Sequence, residues 1–307
     1  MKKVLVILSA YKGEKYIEEQ INSILSQKYV EVDLYIRDDG SNSEYNNIIS
    51  KFNKLYPKSV IFLEKGENLK PAKSFMTALS NSYNEIYEYF LFADQDDIWL
   101  PDKIYEGIKF IEENSKKSNA NILYFSSSTL IDNNLNSIGE NIVTRVFSFS
   151  ESLIRNNVQG ATIIMNNNFV HYINNHKFDV MMMHDMWIHQ VAQAIEAEIF
   201  VDERSFLLYR QHENNVLGMN TSIFTKIKSK LAFILRGNNN LRRRMAKNLL
   251  DEYGNEISQE KLDLLELIVS EEVFYKKLIK LLKIGEIWQG TIFQNFSFFL
   301  DIIFNRF

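Results

Sequence analysis

Residues 89–101 read YFLFADQDDIWLP. An aromatic, apolar run ends abruptly in three carboxylates, Asp94, Asp96 and Asp97, then returns to apolar residues at Ile98 and meets Pro101. Crowded carboxylates repel one another and resist burial. Packing gives no reason to set them directly after a strand-like segment. They are either a solvated turn or a place for a cation, and the flanking sequence has to choose.

Upstream, the strand-then-polar pattern recurs. Residues 3–8, KVLVIL, form a continuous β-branched run of the kind buried on both faces of a parallel sheet. Ile17, Ile21, Ile24 and Leu25 then repeat at helical spacing within residues 14–27. Residues 32–37 and 59–63 read as a second and third strand, separated by a helix with Ile48, Ile49, Phe52 and Leu55 on one face. Pro71 suits the first turn of a helix carrying Phe75, Met76 and Leu79, and Pro101 opens another with Ile104, Ile108 and Ile111. The alternating β-α order predicts an α/β fold, a mostly parallel sheet flanked by helices on both faces. Beyond residue 120, residues 121–131 and 158–165 read as strands around a loop-rich stretch, 132–150, placed to cover a site. A helix starts at His184-Asp185, and residues 198–203 and 205–211 read as two more strands.

This frame puts the polar clusters on one edge. Ser9 and Tyr11 follow the first strand, Asp38 and Asp39 the second, and Asp94 to Asp97 the fourth. All lie at the carboxyl ends of parallel strands, where such sheets bind ligands. Neither G-x-G-x-x-G nor G-x-x-x-x-G-K-[ST] occurs, so a phosphorylated ligand would find no glycine cradle, and a cation on Asp96 would balance its charge. Each residue also has a plainer reading. Asp39 lies in DDGS, which turns readily. Asp97 could cap the helix after Pro101, Asp185 could cap its own helix, and Trp187 could be core.

Composition narrows the class. The chain has 307 residues, 46% hydrophobic and 13% aromatic, enough for a substantial core and against general disorder. A net charge of −4 argues against a dedicated nucleic-acid binder. With no cysteine, disulfides and thiolate metal sites are excluded, in keeping with a reducing, cytoplasmic compartment. The opening apolar run is shorter than the ~7–15 residues of a signal-peptide core. Residues 214–250 hold eight basic side chains among apolar ones and no acidic residue before Asp251, a pattern suited to an anionic membrane surface or to a solvated helix face. The aromatic ending, 287–307, suits an interface or packing on neighbouring helices rather than a span.

Five stretches together, SAYKGEKYIEEQINSILSQ, LYIRDDGS, FADQDDIWLPDKI, HDMWI and YRQHENNVLG, resemble the family 2 glycosyltransferases of GT-A fold, most of all the rhamnosyltransferase branch that builds bacterial cell-wall and capsular polysaccharide. The resemblance covers residues 2 to about 220, implying a GT-A domain over 1–220 and a helical C-terminal region over 221–307 for membrane-surface or oligomer contact. It implies that Asp94 contacts the nucleotide ribose and that Asp96 holds Mn²⁺ or Mg²⁺ on the diphosphate, with His212 as a further metal position. Asp39 would read the pyrimidine base, beside Ser9 and Tyr11, with Lys73 near the nucleotide. Lys70 stands where relatives often have Gly. Asp185 would be the acceptor-activating base, and His184 and Trp187 are candidate acceptor contacts. The expected reaction is inverting, metal-dependent transfer of L-rhamnose from dTDP-rhamnose to a lipid-linked saccharide, on the inner face of the plasma membrane. The alternatives are a UDP-hexose donor, giving a glucosyl- or galactosyltransferase, and a non-catalytic nucleotide-sugar binding protein. A phosphatase with a nucleophilic strand-end Asp is disfavoured, because D-x-D here follows the fourth strand.

Overall fold

A computed structural model describes residues 1–41, 45–178, 180–211 and 240–303. Its first part follows the alternation of the sequence: β1 (Lys2–Ala10), α1 (Ile17–Leu25), β2 (Val30–Asp38), α2 (Tyr45–Leu55), β3 (Ile61–Lys65), α3 (Lys70–Ser82) and β4 (Tyr89–Ala93). Then come β5 (Ile98–Trp99), α4 (Lys103–Asn114), β6 (Ile122–Ile131), β7 (Ser137–Asn141), α5 (Phe149–Ser152), β8 (Ile164–Asn166), α6 (Asn167–Asn174), α7 (His184–Ala194) and β9 (Glu198–Arg210). Four helices close the chain: α8 (Leu241–Tyr253), α9 (Gln259–Val269), α10 (Phe274–Leu282) and α11 (Ile292–Ile303).

The strands form one sheet in the order β3-β2-β1-β4-β8-β6-β9-β5, with β7 pairing β6. Strands β3, β2, β1 and β4 are mutually parallel, as are β6 and β9. The short β8 joins the two groups antiparallel to both. The continuous apolar run of β1 has the predicted cause: Val4, Val6 and Leu8 pack against α1, α2 and α4, while Leu5 and Ile7 face α3, α6 and α7. Helices therefore cover both faces.

The structure corrects the sequence reading in several places. Residues 198–210 form one strand rather than two. The polar Glu203-Arg204 is an irregularity in the β6–β9 register, where Ser126 opposes Asp202 and Ser127 opposes Ser205. Residues 158–165 are a strand only at their end. Gly160–Thr162 is a 3-10 turn, closed by Thr162 N–H and hydroxyl donating to the Gln159 carbonyl at 2.9 and 2.7 Å. The helix after Pro101 begins at Lys103, flanked by Asp102. Asp97 does not cap it: the fully buried Asp97 carboxylate accepts from the Arg210 backbone N–H at 3.1 Å. The stretch 132–150 carries β7 and the start of α5.

Lys70 adopts φ +69°, in the left-handed region where glycine is at ease and a side chain costs ~1–2 kcal/mol. A lysine at this position is thus carried as backbone strain. Lys70→Gly should raise unfolding stability by about 0.5–1 kcal/mol, the relieved strain outweighing the added freedom of the unfolded chain. Urea titration reads this, and a lower midpoint would mean that the strain is relaxed in solution.

In the C-terminal region, Met245, Leu249, Leu265, Leu281, Phe298 and Ile302 share a hydrophobic cluster with Trp187, Val191 and Phe75. The basic stretch lies mostly outside the described residues. Of its described part, Arg242 and Arg243 turn inward onto Asp301 and the Val269 carbonyl. Among the described residues no helix is long and apolar enough to cross a membrane.

Candidate active site

Strand register brings the clusters level. In β1, Ser9 and Ala10 pair with Arg37 and Asp38 of β2, while Leu8 pairs with Ala93 of β4. The next residues, Tyr11, Asp39 and Asp94, therefore emerge side by side at the carboxyl edge, and Asp39 N–H donates to the Ala10 carbonyl at 2.8 Å.

The loop after β4 is fixed from two sides. Gln95, the middle residue of D-x-D, accepts from Tyr11 N–H at 2.8 Å and donates to the Tyr11 carbonyl at 3.1 Å. Its amide lies against Gly13, where a β-carbon would sit 2.2 Å from Oε1, so the β1–α1 turn needs a glycine there. From the other side comes Arg210, at the end of β9. It donates from Nε to the Asp96 carbonyl at 2.8 Å and pairs with Glu19 of α1 at 2.7 Å. Neither Gln95 nor Arg210 stands out in the sequence, because the bonds by which they hold this loop go to backbone atoms and leave no motif.

Asp94 and Asp185 belong to one electrostatic cluster. Burial pushes the Asp94 carboxyl up to about 7, and the charges of Asp96 and Asp185 push the same way. Asp185 sits in the first turn of α7 and is 8% exposed. Burial raises it to about 6, against hydrogen bonds from the N–H groups of Met186 and Gly160 and from the Asn156 side chain. A carboxylate in the first turn of a helix is also favoured by the helix dipole.

The second group of predicted residues lies around β2 and α3. Asp39 is buried and ion-paired with Arg37, and it accepts from Leu69 N–H at 2.8 Å and Lys70 N–H at 3.0 Å. It thus organises the start of α3, and its Oδ2, which among the described residues accepts from Lys70, keeps a lone pair for another donor. Arg37 also donates to Ser74 at 2.9 Å, and the Ser74 and Ser9 hydroxyls are 2.6 Å apart. Lys73, beside Ser74, is exposed, as is Tyr11.

Two candidate acceptor contacts are corrected. Trp187 is fully buried and packs toward Tyr253, so it offers no face to a sugar. His184 is stacked on Phe75 at 4.2 Å and meets Phe92 edge-on at 5.0 Å. Burial pushes its imidazole down to about 3, so it is a neutral core residue. His212 lies outside the described residues.

Among the described residues no three His, Asp or Glu side chains converge as a complete metal cage. The donor set still fits Mg²⁺ or Mn²⁺, which bind through one or two carboxylates while phosphate oxygens of a substrate complete the shell. The upward push of Asp96 and Asp185 on Asp94 marks a concentration of negative charge that a cation would relieve.

Comparison with known proteins agrees with this arrangement. The family model described as glycosyl transferase family 2 matches residues 5–165. The dTDP-rhamnosyl transferase RfbG of Shigella flexneri is 31% identical over 227 residues, covering 72% of this chain and 77% of its own. The putative teichuronic acid biosynthesis glycosyltransferase TuaG of Bacillus subtilis is 29% identical over 113 residues, 36% of this chain and 43% of its own. Among solved structures, S. aureus TarS 1–349 in complex with UDP-GlcNAc superposes with a TM-score of 0.58 at 17% identity, over 99% of this chain and 82% of that one. That likeness establishes the GT-A architecture. With the sheet edge, the profile match over more than half the chain and the relative from Shigella in agreement, the chain belongs to glycosyl transferase family 2 and is a glycosyltransferase.

Proposed function

We propose that this enzyme transfers L-rhamnose from dTDP-rhamnose, with inversion and with a divalent cation, to a saccharide acceptor carried on a lipid. The observation that carries the reaction type is the Asp94–Asp96–Asp185 cluster, in which one buried carboxylate has a proton affinity suited to a general base near neutral pH. The donor follows from the relative from Shigella, named for dTDP-rhamnosyl transfer.

In this reading Asp39 and Ser9 hold the nucleoside end of the donor and Lys73 lies beside its phosphates. Asp94 orients the ribose and Asp96 holds the cation. When bound, Mn²⁺ or Mg²⁺ supplies positive charge to the departing diphosphate. Asp185 accepts the proton of the acceptor hydroxyl as that oxygen bonds to the anomeric carbon and the bond to the diphosphate breaks. One base, with the other carboxylates of the cluster assigned to the ribose and the cation, corresponds to a single displacement.

A membrane-borne acceptor is supported by α10. Phe274, Tyr275, Ile279 and Leu282 are exposed there, with Lys276 and Lys280 exposed on the same short helix and Lys283 just past its end. Such a surface suits the boundary of an anionic bilayer.

One experiment addresses both parts. Purified enzyme is given dTDP- and UDP-sugars with Mn²⁺ or EDTA, and release of nucleoside diphosphate is followed with and without anionic vesicles. EDTA-sensitive turnover of dTDP-rhamnose and co-sedimentation with the vesicles are expected. Turnover of a UDP-hexose instead would replace the donor. Metal-dependent binding without turnover of any donor, even with vesicle-borne acceptors present, would favour the binding-protein reading.

A further inference from the structure

The C-terminal helices do more than cover apolar surface. They hold α7, the helix that carries Asp185, at several points. At its far end, Lys261 of α9 donates to the Gln193 and Ala194 carbonyls at 2.8 and 3.2 Å, satisfying acceptors that a helix terminus leaves open. In its middle, Tyr253 of α8 packs against Trp187. At the Asp185 end the hold is indirect. Arg242 of α8 pairs with the buried Asp301 of α11 at 2.6 Å and donates to the Ile154 carbonyl at 3.0 Å. Ile154 begins the turn that reaches Asn156 and Gly160, which favour the ionised Asp185 carboxyl, and Gly160 lies against the neighbouring His184 ring, where a β-carbon would sit 2.4 Å from Nε2. The turn preceding α11 presses on the same segment, because a β-carbon on Gly290 would lie 2.3 Å from Nη1 of Arg155.

We infer that the C-terminal helical layer positions the acceptor-activating carboxylate, with Arg242 as the positioning residue that ties Asp301 and α11 to the turn orienting Asp185. This rests on the assignment of Asp185 as the base. The physical case is one of over-determination. Asn156 belongs to an irregular stretch between α5 and the 3-10 turn that starts at Gly160, where no sheet or helix ladder fixes the backbone. A loop of that kind opens locally unless something outside it holds it. A half-buried arginine paired with a buried carboxylate and hydrogen-bonded to that backbone does so, and general-base catalysis is sensitive to displacements of about 1 Å.

Arg242→Met keeps the apolar stem and removes the tie. Amide exchange of residues 154–162 should then speed up, while residues 89–99 stay unchanged. Turnover of the donor selected above should fall about 10-fold or more, with affinity for dTDP or UDP unaltered. In an Asp185→Asn background the same substitution should leave the residual rate where it was, since a positioning residue has nothing left to position. Unchanged exchange and turnover in Arg242→Met would overturn the inference. So would losses that multiply in the Asp185→Asn background, which mark general destabilisation. If Asp185→Asn alone kept full turnover, the base assignment would fail and take this inference with it. An inactive Asp185→Asn beside a fully active Arg242→Met would leave the base assignment standing and reject only the positioning role. Should Arg242→Met not fold, Asp301→Asn and Lys261→Met probe the same layer with the same readouts.

Discussion

Asp185→Asn should lower turnover by about 10²–10⁴-fold, the usual contribution of a positioned general base, and should leave nucleotide affinity unaltered. Asparagine fills the same space and its carbonyl still accepts from the helix N–H groups, but it cannot take the acceptor's proton. In the unsubstituted enzyme the rate should climb with pH through about 6, where burial has placed the Asp185 carboxyl. A pH–rate profile under saturating donor reads this step. Retained turnover in the variant would remove Asp185 from the chemistry.

The same substitution has a stability consequence of definite sign. The Asp185 carboxyl is raised above its ordinary value of 3.8, so between about pH 4 and 6 the folded protein binds a proton that the unfolded chain releases. That contribution to stability is full below the unfolded value and lost as pH rises through about 6. At pH 8 the folded protein carries the cost of a buried carboxylate, and Asp185→Asn should raise Tm by about 2–4 °C per kcal/mol relieved. At pH 4 the gain should shrink toward zero. A variant that loses activity while gaining stability would show strain kept at a site for function.

How far the sequence carried can be judged from individual residues. The parallel half of the sheet was legible because β1 and β4 are buried on both faces and so carry continuous apolar runs. The D-x-D cluster was legible because acidic residues directly after such a run have no packing explanation. Irregular structure was not. The 3-10 turn at Gly160–Thr162 reads as strand because VQGATIIM has β-branched composition, and only the hydrogen bonds to Gln159 reveal the turn. Arg210 and Gln95 hold the loop through backbone atoms, which have no residue identity to recognise. His184 and Trp187 lie close to Asp185 in sequence, yet nearly every side of α7 is enclosed, so nearness in the chain does not put a side chain at the site. The double duty of Asp39, paired with Arg37 and receiving the start of α3, needed the spatial meeting of residues 30 apart.

Asp96→Ala should abolish the effect of metal on nucleotide binding. The unsubstituted enzyme is expected to bind dTDP or UDP about 10²-fold more tightly in Mn²⁺ than in EDTA, the scale on which a carboxylate ligand and its supports act. The variant should bind equally in both, as calorimetry would show. Equal tightening by Mn²⁺ in both proteins would sink the assignment of Asp96. The loop should survive the change, because it keeps several anchors outside the Asp96 side chain. Arg210 grips the Asp96 backbone carbonyl and its own N–H bonds the Asp97 carboxylate, while Gln95 holds Tyr11. Removing a negative charge should even ease the crowding, since Asp96 is one of the charges that hold Asp94 up near 7. Asp94 should therefore ionise at lower pH in the variant. Loss of the metal effect without loss of fold thus separates a cation-binding role for Asp96 from the solvated-turn reading of YFLFADQDDIWLP, in which nucleotide affinity would be indifferent to both the substitution and the metal.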